Sequence, residues 1–133
     1  MAYTTIDDPT IYFNTKLYTG DGSTNAITGV GHQPDWVWIK SRSASRNHKI
    51  FDSVRGVTKV IGSNETDAET TVATSLTAFG SDGFTVSSDV SVNESSEPFV
   101  AWNWKAGTSF SNSSGSNGAN LDSSGSVSTA AGS

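Results

Sequence analysis

Cysteine is absent from this chain of 133 residues. That excludes disulfides, thiolate metal sites and cysteine nucleophiles. Histidine occurs twice, at His32 and His48, with no His-x-x-x-His spacing, so no zinc ligand set is present. Charge is scarce: 16 % of residues are Asp, Glu, Lys or Arg, and Ser, Thr, Gly and Asn take their place. A polar, weakly charged surface suits an all-β protein that works outside a cell or within a large assembly. No apolar run approaches the length needed to span a bilayer, so no membrane partner is expected. The stretch Met1 to Pro9 has neither a basic n-region nor an apolar h-region. It reads as no secretory signal, and the chain is expected to be made in a cytoplasm as a soluble product.

Positive charge is short in the second half. Residues 1–61 carry seven Lys/Arg against five Asp/Glu, a balance of +2. Residues 62–133 carry one Lys against eight Asp/Glu, a balance of −7. A chain with net charge −5 is not built to neutralise phosphates, so nucleic acid is excluded as a partner. Lys40, Arg42, Arg46, His48 and Lys49 form the one basic cluster, and its expected role is a solvated loop and strand face.

What the chain does have is tryptophan in two matched settings. Asp35-Trp36-Val37-Trp38-Ile39-Lys40 and Val100-Ala101-Trp102-Asn103-Trp104-Lys105 hold all four. In an extended strand, residues two apart share a face, so each segment lays two indoles side by side. A buried aromatic side chain of this kind removes roughly 150–250 Å² from water. Four would gain on the order of 15–25 kcal/mol gross, an upper bound because unfolded chains already hide some surface. On that reasoning Trp36, Trp38, Trp102 and Trp104 belong in the core, together with Phe51, Phe84 and Phe99.

Strand signals recur at short intervals. They cover 11–19, 25–28, 36–41, 49–52, 57–61, 75–79 and 99–105, with a hairpin over 76–86 turning at Asp82-Gly83. Residues 63–79 are ambiguous. Thr66-x-x-Glu69 matches a capping box, but Thr70, Thr71, Val72 and Thr74 are poor helix formers. From Ala106 onward the composition collapses into Ser, Gly, Asn, Ala and Thr, which reads as a linker or tail. The expected architecture is an antiparallel β-sandwich of jelly-roll or lectin-like type. It has an arm over 1–10, the sandwich over 11–107 and a low-complexity tail over 108–133.

Several motifs then stand in order. They are Leu17-Tyr18-Thr19-Gly20, Gly29-Val30-Gly31, Gln33-Pro34-Asp35-Trp36-Val37-Trp38-Ile39-Lys40 and Phe51-Asp52-Ser53-Val54-Arg55-Gly56. Ser81-Asp82-Gly83-Phe84-Thr85-Val86 and Phe99-Val100-Ala101-Trp102-Asn103-Trp104-Lys105-Ala106-Gly107 follow. Together they resemble a domain that recurs in virion structural proteins of marine tailed phages, of the tail fibre, appendage or particle-component kind. The resemblance implies a sandwich module used in virions, with other virion proteins and further copies of itself as partners. It implies no catalytic residues and no cofactor.

The chemistry-bearing residues read in the same direction. Asp35, Asp52, Glu94 and Glu97 form no marked pair of the kind a glycosidase needs. No Gly-x-Ser-x-Gly elbow leads from a strand into a helix, and the acidic residues match no calcium loop. Arg55, three residues after Asp52, is expected to lock a turn. For ligand or partner contact the candidates are Tyr12, Tyr18, Arg42 and Arg46, with Tyr18 the preferred surface aromatic because it stands beside a glycine turn. A host surface glycan is the alternative partner these residues suggest.

Overall fold

The computed structural model describes residues 8–106 and the strands of a further hairpin, Thr108–Asn112 with Ser123–Val127. The arm's first seven residues and most of the 108–133 tail lie outside the described residues. A 3-10 turn at Pro9–Ile11 leads into β1 (Phe13–Thr19), β2 (Asn25–Ile27), β3 (Trp36–Ser41), β4 (Lys49–Asp52), β5 (Lys59–Gly62) and β6 (Thr70–Thr71). Then come β7 (Leu76–Gly80), β8 (Gly83–Val86), the helical turn α1 (Val90–Asn93), β9 (Pro98–Trp104), β10 (Thr108–Asn112) and β11 (Ser123–Val127).

All pairing is antiparallel. Thr10–Lys105 form one compact unit that holds two sheets. The larger runs β1-β9-β3-β4-β5-β6 and the smaller β2-β8-β7. They share one apolar core. The large sheet supplies Val37, Ile39, Phe51, Val60, Phe99 and Ala101; the small sheet supplies Ile27, Leu76, Phe84 and Val86; α1 adds Val92. The fold is therefore an all-β, sandwich-like pair of antiparallel sheets. Outside this unit, β10 and β11 pair with each other.

The placement of the tryptophans corrects the sequence expectation. Phe51, Phe84 and Phe99 are in the core, but Trp36, Trp38, Trp102 and Trp104 are not. Strand alternation explains why. In β3 the buried positions are Val37, Ile39 and Ser41, and in β9 they are Phe99, Ala101 and Asn103. The indoles occupy the alternate positions and so stand on the opposite face of the large sheet. The facing sheet has three short strands, and the gap between stacked sheets is about 10 Å. Phe51, Phe84 and Phe99 fill it together with the aliphatic side chains of both sheets, and the indoles are left on the outer face.

One local ambiguity of the sequence is resolved to a loop, and one turn is shifted. The Thr66–Glu69 segment starts no helix; the described helix is α1, capped by the Asp89 side chain accepting from Ser91 N at 2.9 Å. In the hairpin, Gly80 pairs with Gly83, so Ser81 and Asp82 are the turn residues rather than Asp82 and Gly83. Gly83 has φ +149°, and a Cβ there would collide with the Ile27 carbonyl of β2. Glycine is thus required for β2 to close on β8.

Candidate functional site

The outer face of the large sheet is built by register. Phe13 of β1 lies beside Trp104 of β9, and Trp104 beside Trp36 of β3, whose other neighbour is Asp52 of β4. One step along, Thr15, Trp102, Trp38 and Ile50 form the next row. A third row runs Leu17, Val100 and Lys40. Directly opposed side chains in antiparallel strands sit about 4.5–5.5 Å apart at Cβ, so cross-strand rings must touch.

They form a continuous chain of rings. Phe13 and Trp104 centroids are 4.8 Å apart, tilted by 48°. Trp104 meets Trp36 edge-on at 4.4 Å and 70°. Trp36 meets Trp38 at 6.2 Å and 61°, and Trp38 meets Trp102 at 5.1 Å and 44°. His48 closes on Trp38 at 6.0 Å. The rings shield one another, so Trp36, Trp38 and Trp102 are half-buried without entering the core. The Trp38 Nε1 is shielded and has no acceptor. Along the rim, Phe13 and Trp104 stay 37 % exposed and Leu17 57 %. Phe13, Leu17 and Trp104 thus form the exposed apolar margin of the sheet's outer face.

The other candidates fall into structural roles. Tyr18, expected at the surface, is packed inside: its ring stacks on Phe99 at 5.3 Å and meets Phe84 edge-on at 6.2 Å. Its hydroxyl donates to the Val92 carbonyl at 2.5 Å, and burial pushes the phenol well above its usual range. The even positions of β1 face the core, so Tyr18 follows the strand's pleat rather than its neighbouring turn. Tyr12 is half-buried, and its carbonyl accepts from Lys105 N at 2.8 Å. Arg42 is exposed. Arg46 is paired with Glu94 at 2.6 Å, which raises the guanidinium pKa further. Lys49 pairs with Glu65 at 2.8 Å, and Lys40 donates to the Ala44 carbonyl at 3.3 Å. Within the basic cluster, Arg46 and Lys49 are thus ion-paired and Lys40 is held by a carbonyl.

The carboxylates are also occupied. Asp52 accepts from the Arg55 backbone N at 2.8 Å and from its side chain, while Arg55 also reaches Glu69 and the Ile50 carbonyl. Burial pushes the Asp52 carboxyl up, but the Arg55 bonds and charge outweigh it and hold it below the usual range. Glu97 accepts from the Ser43 hydroxyl.

Two structural positions gave little sequence signal. Asp82 accepts from Gly31 N at 2.6 Å and Gly29 N at 2.9 Å, and these two bonds hold its pKa low. It clamps the loop before β3 to the hairpin tip. Asn93 is fully buried. Its amide donates to Asp21 Oδ1, Ser23 O and Ser87 O at 2.8–2.9 Å and accepts from Asp21 N and Asn25 Nδ2. Among the described residues no group of three or more His, Cys, Asp or Glu is placed to hold a metal, and no helix is long and apolar enough to cross a membrane.

No curated protein and no solved structure matches the chain. One family model does, over residues 8–133. Its span takes in both sheets and every residue of the aromatic face, and by that match the chain belongs to the family of domains of unknown function designated DUF7483.

Proposed function

We propose that this chain is a virion structural subunit of a tailed phage, placed as a fibre, appendage or capsid decoration, and that it works by assembly and display without catalysis. The observation that supports this most is the chain of rings on the outer face of the large sheet. A small domain gains little by holding four indoles outside its core unless another macromolecule covers them. The rings are tilted against each other by 44–70°, so they offer an uneven, interlocking relief that suits protein packing. The carboxylates being held in turns and ion pairs supports a non-catalytic role. The ordered motifs that resemble virion proteins support the setting. Proteomics of purified particles, followed by immunogold labelling, tests the reading. The expected result is stoichiometric presence on the particle; absence from intact particles overturns it.

A second reading has its own support. Phe13 and Trp104 form an exposed aromatic pair on the rim, and such rings stack on the apolar face of sugars. On this reading the subunit also binds host surface glycan. Titration with host polysaccharide, followed by tryptophan fluorescence, should then give a saturable shift that Trp104→Ala abolishes. A flat response across a broad glycan panel removes it.

A further inference from the structure

We infer that two copies of this chain pair edge to edge through β1, about a two-fold axis at Thr15, into one continuous sheet. Among the described residues β1 has a neighbour on one side only, β9. Its register decides which peptide groups look outward. Lys105 N donates to Tyr12 O and Gly20 N donates to Glu97 O, both at 2.8 Å and both in the register that pairs Phe13 with Trp104. Hydrogen-bonded and non-bonded pairs alternate in an antiparallel ladder. The even residues from Tyr12 to Gly20 therefore direct their N–H and C=O groups at β9. Phe13, Thr15 and Leu17 direct theirs away. Thr19 would be next, but its carbonyl accepts from Asn25 Nδ2 at 3.2 Å. The open edge is thus Phe13 to Leu17, and its centre is Thr15.

That segment is self-complementary. A two-fold at Thr15 sets Phe13 opposite Leu17 of the second copy, Thr15 opposite Thr15, and Asn14 opposite Lys16. Aromatic–aliphatic and Thr–Thr pairs are favourable cross-strand neighbours. The two-fold also makes each outward N–H of Phe13, Thr15 and Leu17 meet an outward C=O. A two-fold one residue on, at Lys16, would set Lys16 against Lys16, a like-charge pair, and would oppose Phe13 to Thr19, whose carbonyl is already engaged. The isologous contact closes on itself, as a stable dimer requires.

Other edges are guarded in the ways natural sheets use. β6 has two residues and β2 has three, and β7 carries a register irregularity between Leu76 and Ala78. β1 has seven residues, no proline and no bulge, and it places exposed Phe13 and Leu17 on the edge. Its one charge, Lys16, is turned toward the Gly29 carbonyl at 3.4 Å. Because the axis stands perpendicular to the sheet, the aromatic faces of both copies lie on the same side and join into one strip. The pairing does not depend on how that face is used.

The chain lacks cysteine, so single-cysteine variants of the full-length protein report cleanly. Residues opposed in a hydrogen-bonded pair have Cα atoms about 5.5 Å apart, within disulfide range. Thr15→Cys should form a covalent dimer under mild oxidation. Ser88→Cys, exposed on the connection after β8, should not. Thr15→Pro removes only an outward N–H and is tolerable on an edge; it should halve the wild-type mass by sedimentation while keeping the circular dichroism and melting curve. A wild-type monomer at every concentration tested overturns the proposal. So does an oligomer unchanged by Thr15→Pro, or a Thr15→Cys protein that cross-links no better than Ser88→Cys.

Discussion

Replacing Asn93 with alanine tests how the two ends of the strand system are tied together. The side chain is fully buried and makes five hydrogen bonds that join the β1–β2 loop, the end of β8 and α1. Each such bond contributes about 0.5–1.5 kcal/mol net. Asp21 and Ser23 are exposed, so water replaces part of their share after truncation; Ser87 and Asn25 are half-buried and recover less. We expect Asn93→Ala to cost about 2–4 kcal/mol, the range for breaking a buried network. For a domain of this size that lowers the melting temperature by roughly 10–30 °C. Urea unfolding followed by tryptophan emission measures it, with an unchanged slope showing that the native state keeps its compactness. A loss below about 1 kcal/mol refutes the reasoning, because the bonds would then be replaceable by solvent or by local rearrangement.

Three further outcomes follow from the sidedness of the large sheet and from its turns. Phe99→Ala should cost about 3–5 kcal/mol because a cavity opens between the layers, whereas Trp104→Ala should cost about 1–2 kcal/mol because solvent fills the space on the outer face; chemical denaturation of both variants showing the reverse order would place the core on the wrong side. Acrylamide should quench part of the native tryptophan emission, and Trp104→Phe should remove more of the quenchable fraction than Trp38→Phe; equal effects would contradict the graded exposure of the rings. Asp21, Asp52 and Asp82 all have pKa values held below the usual carboxylate range. Their contribution is present above the unfolded value of about 3.9 and is lost as pH falls through the lower folded values, so stability should drop on acidification past pH 4. Asp82→Asn should lower stability at neutral pH and shrink that acid loss; parallel pH profiles for wild type and variant would show the clamp on Gly29 and Gly31 to be idle.

Much of the strand layout was legible in local pattern. β3 and β4 carry the bounds read from the sequence, and the 76–86 hairpin is present with its turn one residue earlier than read, at Ser81 and Asp82. β-branched runs separated by Gly, Asn and Asp leave few alternatives. The Asp52–Arg55 lock was also readable, because its partners are three residues apart. Sidedness was not. Trp36-Val37-Trp38-Ile39 is apolar on both faces, so alternation alone offers two equally apolar solutions. The misplacement of Tyr18 has the same root: a turn is a local feature, whereas burial depends on what lies across the sheet. Asn93 and Asp82 gave no pattern: apart from Ser87, the partners of Asn93 sit 68–72 residues away in the chain, and those of Asp82 sit 51–53 away.

By itself the amino-acid sequence determined an all-β chain with short strands, no thiol chemistry and an apolar surplus concentrated in two segments. Those properties come from backbone propensity and composition, which act within a few residues. Only the tertiary structure decided which side of β3 and β9 became interior. The small sheet packs against Val37, Ile39, Phe99 and Ala101, and by covering that face it leaves the indoles on the other. A choice between two apolar faces is made by the layer that arrives to cover one of them, and that layer is assembled from residues distant in sequence.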